Sequence, residues 1–465
     1  MDVFTALQTA VSGLKAQSFS LDNISGNIAN SQTTGYKRID TSFVDLIAEQ
    51  QTPSRQVAGS VGAYSRLTTT IQGSFDATDI GTNMALNGDG FFVVQTKSSD
   101  AAGQPTFQTG DKYTRRGDFA PDKDGYLVNG GGSYLKGTTI NPATGQVSSE
   151  GPVRVSTSLL AAKPTTSITY SANLPKTPAT TNVSADLPGS ELLPTAGFAN
   201  NPPGANPIGP AAVMPNEESL LLDNSILGPS LTLYSASGGP VSLATRWAKV
   251  DNATTGAGDV WNLFYLANST ATSMTTPPVP KWINAGTDFT FNASGQLTSP
   301  AATSTPIPDV TIDGANLGPI SLNYGAGGLT QYNTADGRVT TNTQQKDGYA
   351  SGSLLSTQVG DDGTISGTYS NGSTLALARI NVVQFANSDG LKSDSYGNYE
   401  QTLGSGPALL GLKGTTIIGG NVERSNTDIA GEFSKMIVTQ QAYSANTKVM
   451  STAQDMMSAL INIIR

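Results

Sequence analysis

The chain has 465 residues, 26 Lys+Arg against 35 Asp+Glu, and only 13% charged residues, where an average globular protein carries about 25%. A net charge of −9 argues against nucleic acid or an anionic membrane surface as partner, since both are bound by clustered Lys and Arg, and the pairs Lys37-Arg38 and Arg115-Arg116 are too small to form such a cluster. The absence of Cys and His removes disulfides, thiol and His-triad chemistry and nearly all zinc or copper sites, so no catalytic residue, cofactor or metal is expected.

From the N-terminus, "MDVFTALQTA" has an acidic second residue and no apolar core of signal-peptide length, so no Sec signal is expected. No run of about 18 apolar residues exists, so no membrane insertion is expected either. Starting at Phe4, apolar residues fall at Leu7, Val11, Leu14, Leu21, Ile24 and Ile28, with Leu7, Leu14, Leu21 and Ile28 spaced by seven. This is the period of a coiled-coil seam. Next come Asn23, Asn27 and Asn30, on one stripe of the same helix, with Gly35 as its stop. Solvated helix faces usually carry Glu, Lys and Arg. A stripe of short amides instead predicts hydrogen-bonded contact with protein, as part of a coiled-coil or polymer interface.

The middle, roughly residues 41–420, is rich in Gly, Pro, Ser and Thr. Short alternating runs ("SITYSANL", "VSLATRW", "LARINVVQF") are separated by turn signals ("DKDGY", "SGGP", "DDGT"), which predicts several β-domains built from hairpins. "PDKDGYL" opens like a calcium loop but has Ser133 where the bidentate Glu belongs, so it reads as a turn. Residues 176–229, with "FANNPPGANPIGP", read as surface loops or a linker within an outer domain. At the C-terminal end Ile429, Met436, Tyr443, Met450, Met457 and Ile464 again repeat by seven, flanked by Phe433, Ile437, Val449, Leu460 and Ile461. Ser425-Asn426-Thr427-Asp428 supplies a capping-box start. Neither helix can bury its stripe alone, so the two ends are expected to pair antiparallel.

The fold class expected is therefore mixed and mainly β: terminal helices paired as a coiled coil, with two or three barrel- or sandwich-like β domains between them. The expected divisions are 1–40 with 425–465 (helical), 41–75 with 390–424 (connecting), 76–150 with 325–389 (β core) and 151–324 (outer). An extracellular β-rich adhesin with a helical stalk and a carboxylate glycosidase are the rival readings; no pair of acids stands out for the second.

"SGLKAQSFSLDNISGNIANSQTTGYKR", Ser12 to Arg38, is similar to the N-terminal signature of the bacterial flagellar rod/hook axial protein family. The match runs through Asn27, Ile28, Ala29, Asn30, Gly35, Tyr36 and Lys37. Gly26 departs from the usual Asn and is expected to loosen the helix locally. "NMALNGDGFFVV", "YTRRGDFAPDKDGYLVNGGGSYLKG" and "VERSNTDIAGEFSKMIVTQQAYSANTKVM" resemble the family's β core and C-terminal helix. "DGTISGTYSNGSTLALARINVVQFAN" looks like the hook subunits within it, more than the rod or junction subunits. The resemblance implies a structural, extracellular protein of the flagellum that polymerises with itself into a curved tube transmitting torque. It also implies a distal rod protein, a hook cap and a hook-filament junction protein as neighbours, and export by the flagellar type III apparatus.

Overall fold

A computed structural model describes residues 3–46, 60–101, 104–200, 208–252, 258–273 and 278–464. The chain divides into two units: residues 1–158 with 354–465, and residues 159–353.

In the first unit, helix α1 (Val3–Ala29) is continuous through Gly26, around which a side chain would meet open space; the expected loosening there does not occur. Beyond it Gly35 turns the chain at φ +66°. A Cβ at Gly35 would lie 2.7 Å from the Arg116 backbone nitrogen, so glycine is required both by conformation and by space. A two-stranded antiparallel ribbon follows, β1 (Ile39–Leu46) against β2 (Ser60–Leu67). Helix α3 (Ile429–Ile464) closes the chain. Its cap is Asp428, whose Oδ1 accepts the Ala430 N–H at 3.1 Å. Ser425 instead holds Thr427, so the expected capping box reduces to a single aspartate cap.

The β core of this unit centres on the strand Phe91–Ala101. Its first four residues, Phe-Phe-Val-Val, are buried on both faces, which explains a continuous apolar run where alternation would mark a half-exposed strand. Phe91 meets Phe385 and Tyr399 edge-on, and Phe92 meets Phe119. Residues 390–424, expected as a connecting segment, are part of this core. Asn398–Glu400 pairs with Lys112–Thr114, Leu409–Leu410 with Val382–Gln384, Thr416–Gly419 with Met84–Asn87, and Asn421–Glu423 with Phe75–Ala77. "DKDGY" is a turn: Asp122 Oδ1 accepts the Asp124 and Tyr126 N–H groups, and Gly125 has φ +85°.

The second unit is a sandwich of two sheets. One contains Ser304–Ile312, Ala315–Asn323, Ser167–Asn173, Leu329–Thr330 and Thr340–Lys346; the other is built on Ile226–Tyr234, Pro240–Asp251, Asp259–Leu266 and Trp282–Phe291. Residues 325–353, expected in the β core, belong here because Thr340–Lys346 pairs with Ile168–Asn173. Between the sheets Tyr170 stacks on Trp247, and Phe289 lies edge-on to both Trp247 and Tyr324. Residues 201–207 of the Pro/Asn-rich stretch lie outside the described residues; the rest of it is mostly irregular, as expected, but it packs onto the sandwich and is no free linker. Leu193, Phe198, Val213 and Leu221, the last on helix α2 (Glu218–Asp223), pack on Ala248, Val250, Phe264 and Trp282. Four apolar anchors tie this loop-rich segment to the sheet.

Candidate functional site: the paired termini and their neck

Two contacts set the relation of the helices. Asn27 on α1 bonds Glu432 on α3, and the position a Gly13 Cβ would take lies 2.9 Å from the Asn446 amide. Fourteen residues separate the two points on each helix, in opposite chain directions, so α1 and α3 run antiparallel. The buried row on α1 is Ala10, Gly13, Ala16, Ser20, Ile24 and Asn27; opposite it on α3 lie Glu432, Thr439 and Ala453. These residues also recur at heptad spacing, but all except Ile24 are small or polar. Small side chains let the backbones approach closely, and larger ones flank the seam.

The sequence-predicted residues distribute as follows. Ile24 and Asn27 lie in the seam. Leu7, Leu14, Leu21 and Ile28 sit one step round the helix and are half-buried, while Val11 is exposed. On α3 Met436, Met450 and Met457 are half-buried, and Ile429, Phe433 and Tyr443 are exposed. The side chains of Leu460 and Ile464 lie outside the described residues. The strict leucine row is therefore not the row that faces α3. All seven rows of a helix repeat every seven residues, and the closest approach goes to the row with the smallest side chains.

The asparagine stripe is used inside the chain. Asn27 is 1% exposed and satisfies both ends of its amide. Its Oδ1 accepts the Ile39 N–H (2.8 Å) and the Tyr36 hydroxyl (3.2 Å), and its Nδ2 donates to the Ile39 carbonyl (2.9 Å) and Glu432 Oε2 (3.0 Å). One side chain thus joins α1, the start of β1 and α3. Asn23 donates to Thr41 Oγ1, holding the ribbon against α1, and Asn30 donates to the Gly26 carbonyl at the helix end. Asn426 is a second clamp: it accepts the Arg38 N–H and donates to the Ile71 carbonyl.

Beneath these amides lies a buried charge cluster. Lys37 Nζ is 2.6 Å from Glu423 Oε1 with both side chains fully buried, and it donates also to the Ile71 carbonyl. Glu423 Oε1 accepts the Gly73 N–H, and its Oε2 lies 3.6 Å from Arg115 Nη1. Arg115 donates to the Gly88 carbonyl and covers the Phe91 ring. Burial pulls the Lys37 ammonium below its usual range against the opposing pull of Glu423, and burial likewise lowers Arg115. Tyr36 and Tyr399, buried beside the cluster, are pushed up. The axial motif thus has distinct tasks at each position. Gly35 allows the close turn and donates its N–H to the Glu423 carbonyl, Tyr36 reaches back to Asn27, and Lys37 meets the carboxylate.

Glu423, Arg115, Glu432 and Asn426 escaped the sequence reading as site residues. They lie inside segments that resemble the axial family, but nothing local distinguishes a buried charge from a solvated one. Among the described residues no group of three or more His, Cys, Asp or Glu is placed to hold a metal, and no helix is long and apolar enough to cross a membrane.

Comparison with known proteins follows the same division of the chain. Residues 7–37 match the flagella basal body rod protein model, 85–173 the flagellar hook protein FlgE/F/G D1 domain, 228–349 the flagellar basal body protein FlaE D2 domain and 418–463 the flagellar basal body rod FlgEFG protein C-terminal model. The flagellar hook protein FlgE of Escherichia coli (strain K12) is 30% identical over 466 residues, spanning 98% of this chain and 100% of that one. The flagellar hook protein FlgE of Brucella abortus biovar 1 is 29% identical over 472 residues, spanning 100% of both chains. A solved structure, the Helicobacter pylori flagellar hook protein FlgE2, is 15% identical with a TM-score of 0.45, covering 74% of this chain and 98% of that one. The full-length relation at this identity establishes that the chain belongs to the flagellar hook protein FlgE family.

Proposed function

We propose that this chain is the structural subunit of the bacterial flagellar hook: it self-assembles helically, outside the cell, into a curved and bendable tube that passes torque from rod to filament. The full-length relation to hook proteins carries this reading. The physical chemistry of the termini agrees with it. The α1–α3 pair acts as a coiled coil whose seam is small and polar, while Phe433, Ile437, Val438 and Val449 face outward on α3. Covering the exposed half or so of each such side chain is worth about 1–2 kcal/mol, and in a helical polymer the neighbouring copies cover them. The neck cluster keeps helices and β core together as load passes between them.

In the assembled tube we place the helical pair (1–40 with 425–465) innermost, and Ser/Thr/Asn-rich loops make wet contacts that tolerate sliding. The distal rod protein, hook cap and hook-filament junction protein are its proposed neighbours, and the flagellar type III apparatus its export route. The family role is structural, and no reaction is proposed.

The native chain has no thiol, so Ser237→Cys, at the exposed turn closed by the Gly238 N–H to Ser235 carbonyl bond, gives a clean label. Maleimide dye on intact cells should mark a short curved segment between cell body and filament. Dye spread over the whole envelope would overturn the reading in favour of an adhesin.

A further inference from the structure

A cleft of about 420 Å³ opens on the second unit, within the range of about 300–1,000 Å³ that small-molecule sites occupy. Residues 300–302 line it with Pro and Ala, and residues 325–327 with the nearly bare backbone of Gly-Ala-Gly. Gln296, Thr303 and Thr330 bring an amide and two hydroxyls. None of the lining residues is Asp, Glu, Lys or Arg.

The remaining feature of the cleft is Tyr332, which is 53% exposed although its backbone is fixed from both sides. Its N–H donates to Asn173 Oδ1 at 2.7 Å, and its carbonyl accepts from Asn173 Nδ2 at 3.1 Å. One residue earlier, the Gln331 N–H donates to the Gly295 carbonyl at 2.8 Å, and the buried Gln331 amide donates to Asp259. The ring itself rests against Gly295, where a Cβ would lie 2.9 Å from Tyr332 Cδ1. Gly295 in turn sits at φ +75° in a turn whose Asn292 Oδ1 accepts the Ser294 and Gln296 N–H groups. An aromatic ring is thus presented to solvent on a clamped backbone, so little ordering is left for a ligand to impose.

The lining selects the chemistry of that ligand. An organic cation would meet a ring but no countercharge, and a phosphate or carboxylate would meet no Lys or Arg. A wholly apolar ligand would cover the amide and hydroxyls without giving them partners, which costs free energy. A neutral sugar satisfies all of them: the C–H face of a pyranose ring is apolar and stacks on an aromatic face, while the hydroxyls on its rim donate and accept. Gln296 Oε1 accepts from Asn292 Nδ2 at 3.3 Å, which leaves its Nε2 to donate, and Thr330 Oγ1 donates to Asn173 Oδ1, which leaves its oxygen to accept. We infer that the cleft beside Tyr332 binds a neutral carbohydrate, with Tyr332 as the stacking platform and Gln296 and Thr330 as hydrogen-bonding partners. This goes beyond the hook-subunit reading and does not depend on it.

The test is saturation-transfer NMR on the full-length chain in solution, with cellobiose, maltose, lactose and diacetylchitobiose as probes and glucuronate as the charged control. At least one neutral disaccharide should receive saturation, with a dissociation constant of about 1–10 mM, and glucuronate should not. Tyr332→Phe keeps the ring and should keep the binding, whereas Tyr332→Ala should weaken it about tenfold. Tyr396→Ala, which removes an exposed ring from the first unit, should leave it unchanged. Native Trp fluorescence verifies that the sandwich of each variant is folded, and Gln296→Ala, at an exposed side chain, should weaken binding severalfold and replaces a Tyr332→Ala chain that fails to fold. No transfer to any of the four disaccharides, equal transfer to glucuronate, or an affinity unmoved by Tyr332→Ala and Gln296→Ala would overturn the inference.

Discussion

Glu423→Gln isolates the charge of the neck cluster while keeping its shape. The amide oxygen can still accept the Gly73 N–H, but Lys37, fully buried at 2.6 Å, and Arg115, with its side chain 3% exposed at 3.6 Å, lose the carboxylate that pairs with both of them. Removing one partner of a buried pair costs about 3–5 kcal/mol, because the remaining charge stays desolvated. Arg424→Gln, one residue on, is the control: its pair with Asp76 is about half exposed and is worth about 0–1 kcal/mol. The two units report separately. All three Trp, at 247, 261 and 282, lie in the sandwich, whereas α1 and α3, 27 and 36 residues, dominate the helical circular dichroism over the six residues of α2. With a urea dependence of about 2–3 kcal/mol/M, Glu423→Gln should lower the midpoint of the helical transition by about 1–2 M and leave the Trp fluorescence transition in place. A shift no larger than that of Arg424→Gln would refute the reasoning, since the carboxylate would then contribute no more than a surface charge. Recovery in Lys37→Met/Glu423→Gln would locate the cost in the stranded cation.

Other perturbations test other links. Gly35→Ala forces a side chain into φ +66° against the Arg116 backbone; a loss of about 2 kcal/mol or more is expected in the same helical transition. Gly13→Val pushes branched carbons into the Asn446 amide, and overpacking of this kind costs about 1–3 kcal/mol, whereas Leu14→Val beside the seam should cost less, both read by thermal melts at 222 nm. Asn27→Leu strands the Ile39 N–H and carbonyl and one oxygen of Glu432; at about 1–3 kcal/mol per stranded buried group the terminal arms should become sensitive to limited proteolysis while the sandwich stays intact. Burial raises the Tyr170 hydroxyl to about 12 from the usual 10. Its contribution is therefore fully present below pH 10 and is lost as pH rises through about 12, up to about 2–3 kcal/mol in all. Tyr265, Tyr324 and Tyr349 are raised by burial in the same direction. The alkaline limb of the Trp fluorescence transition should flatten in Tyr170→Phe by about one proton; an unchanged limb would place the titration elsewhere.

Much about the termini was legible in the chain itself. Sevenfold spacing marks a helix and its period, Gly35 marks its stop, and the lack of Cys and His removes whole classes of chemistry, because these are properties of residue type and local spacing. Turns such as Asp122–Gly125 were equally readable, since an Asp oxygen and a glycine with positive φ build them without outside help. Which heptad row faces the partner was decided only in three dimensions. The leucine row is the most apolar, but Ala10, Gly13, Ala16 and Ser20 permit the nearest backbone approach, and Asn27 finds in Ile39, Tyr36 and Glu432 the partners that make its burial affordable. The neck depends still more on tertiary structure. Lys37 and Glu423 are 386 positions apart, and an ion pair is buried or solvated according to what packs around it, which no local pattern of residues encodes.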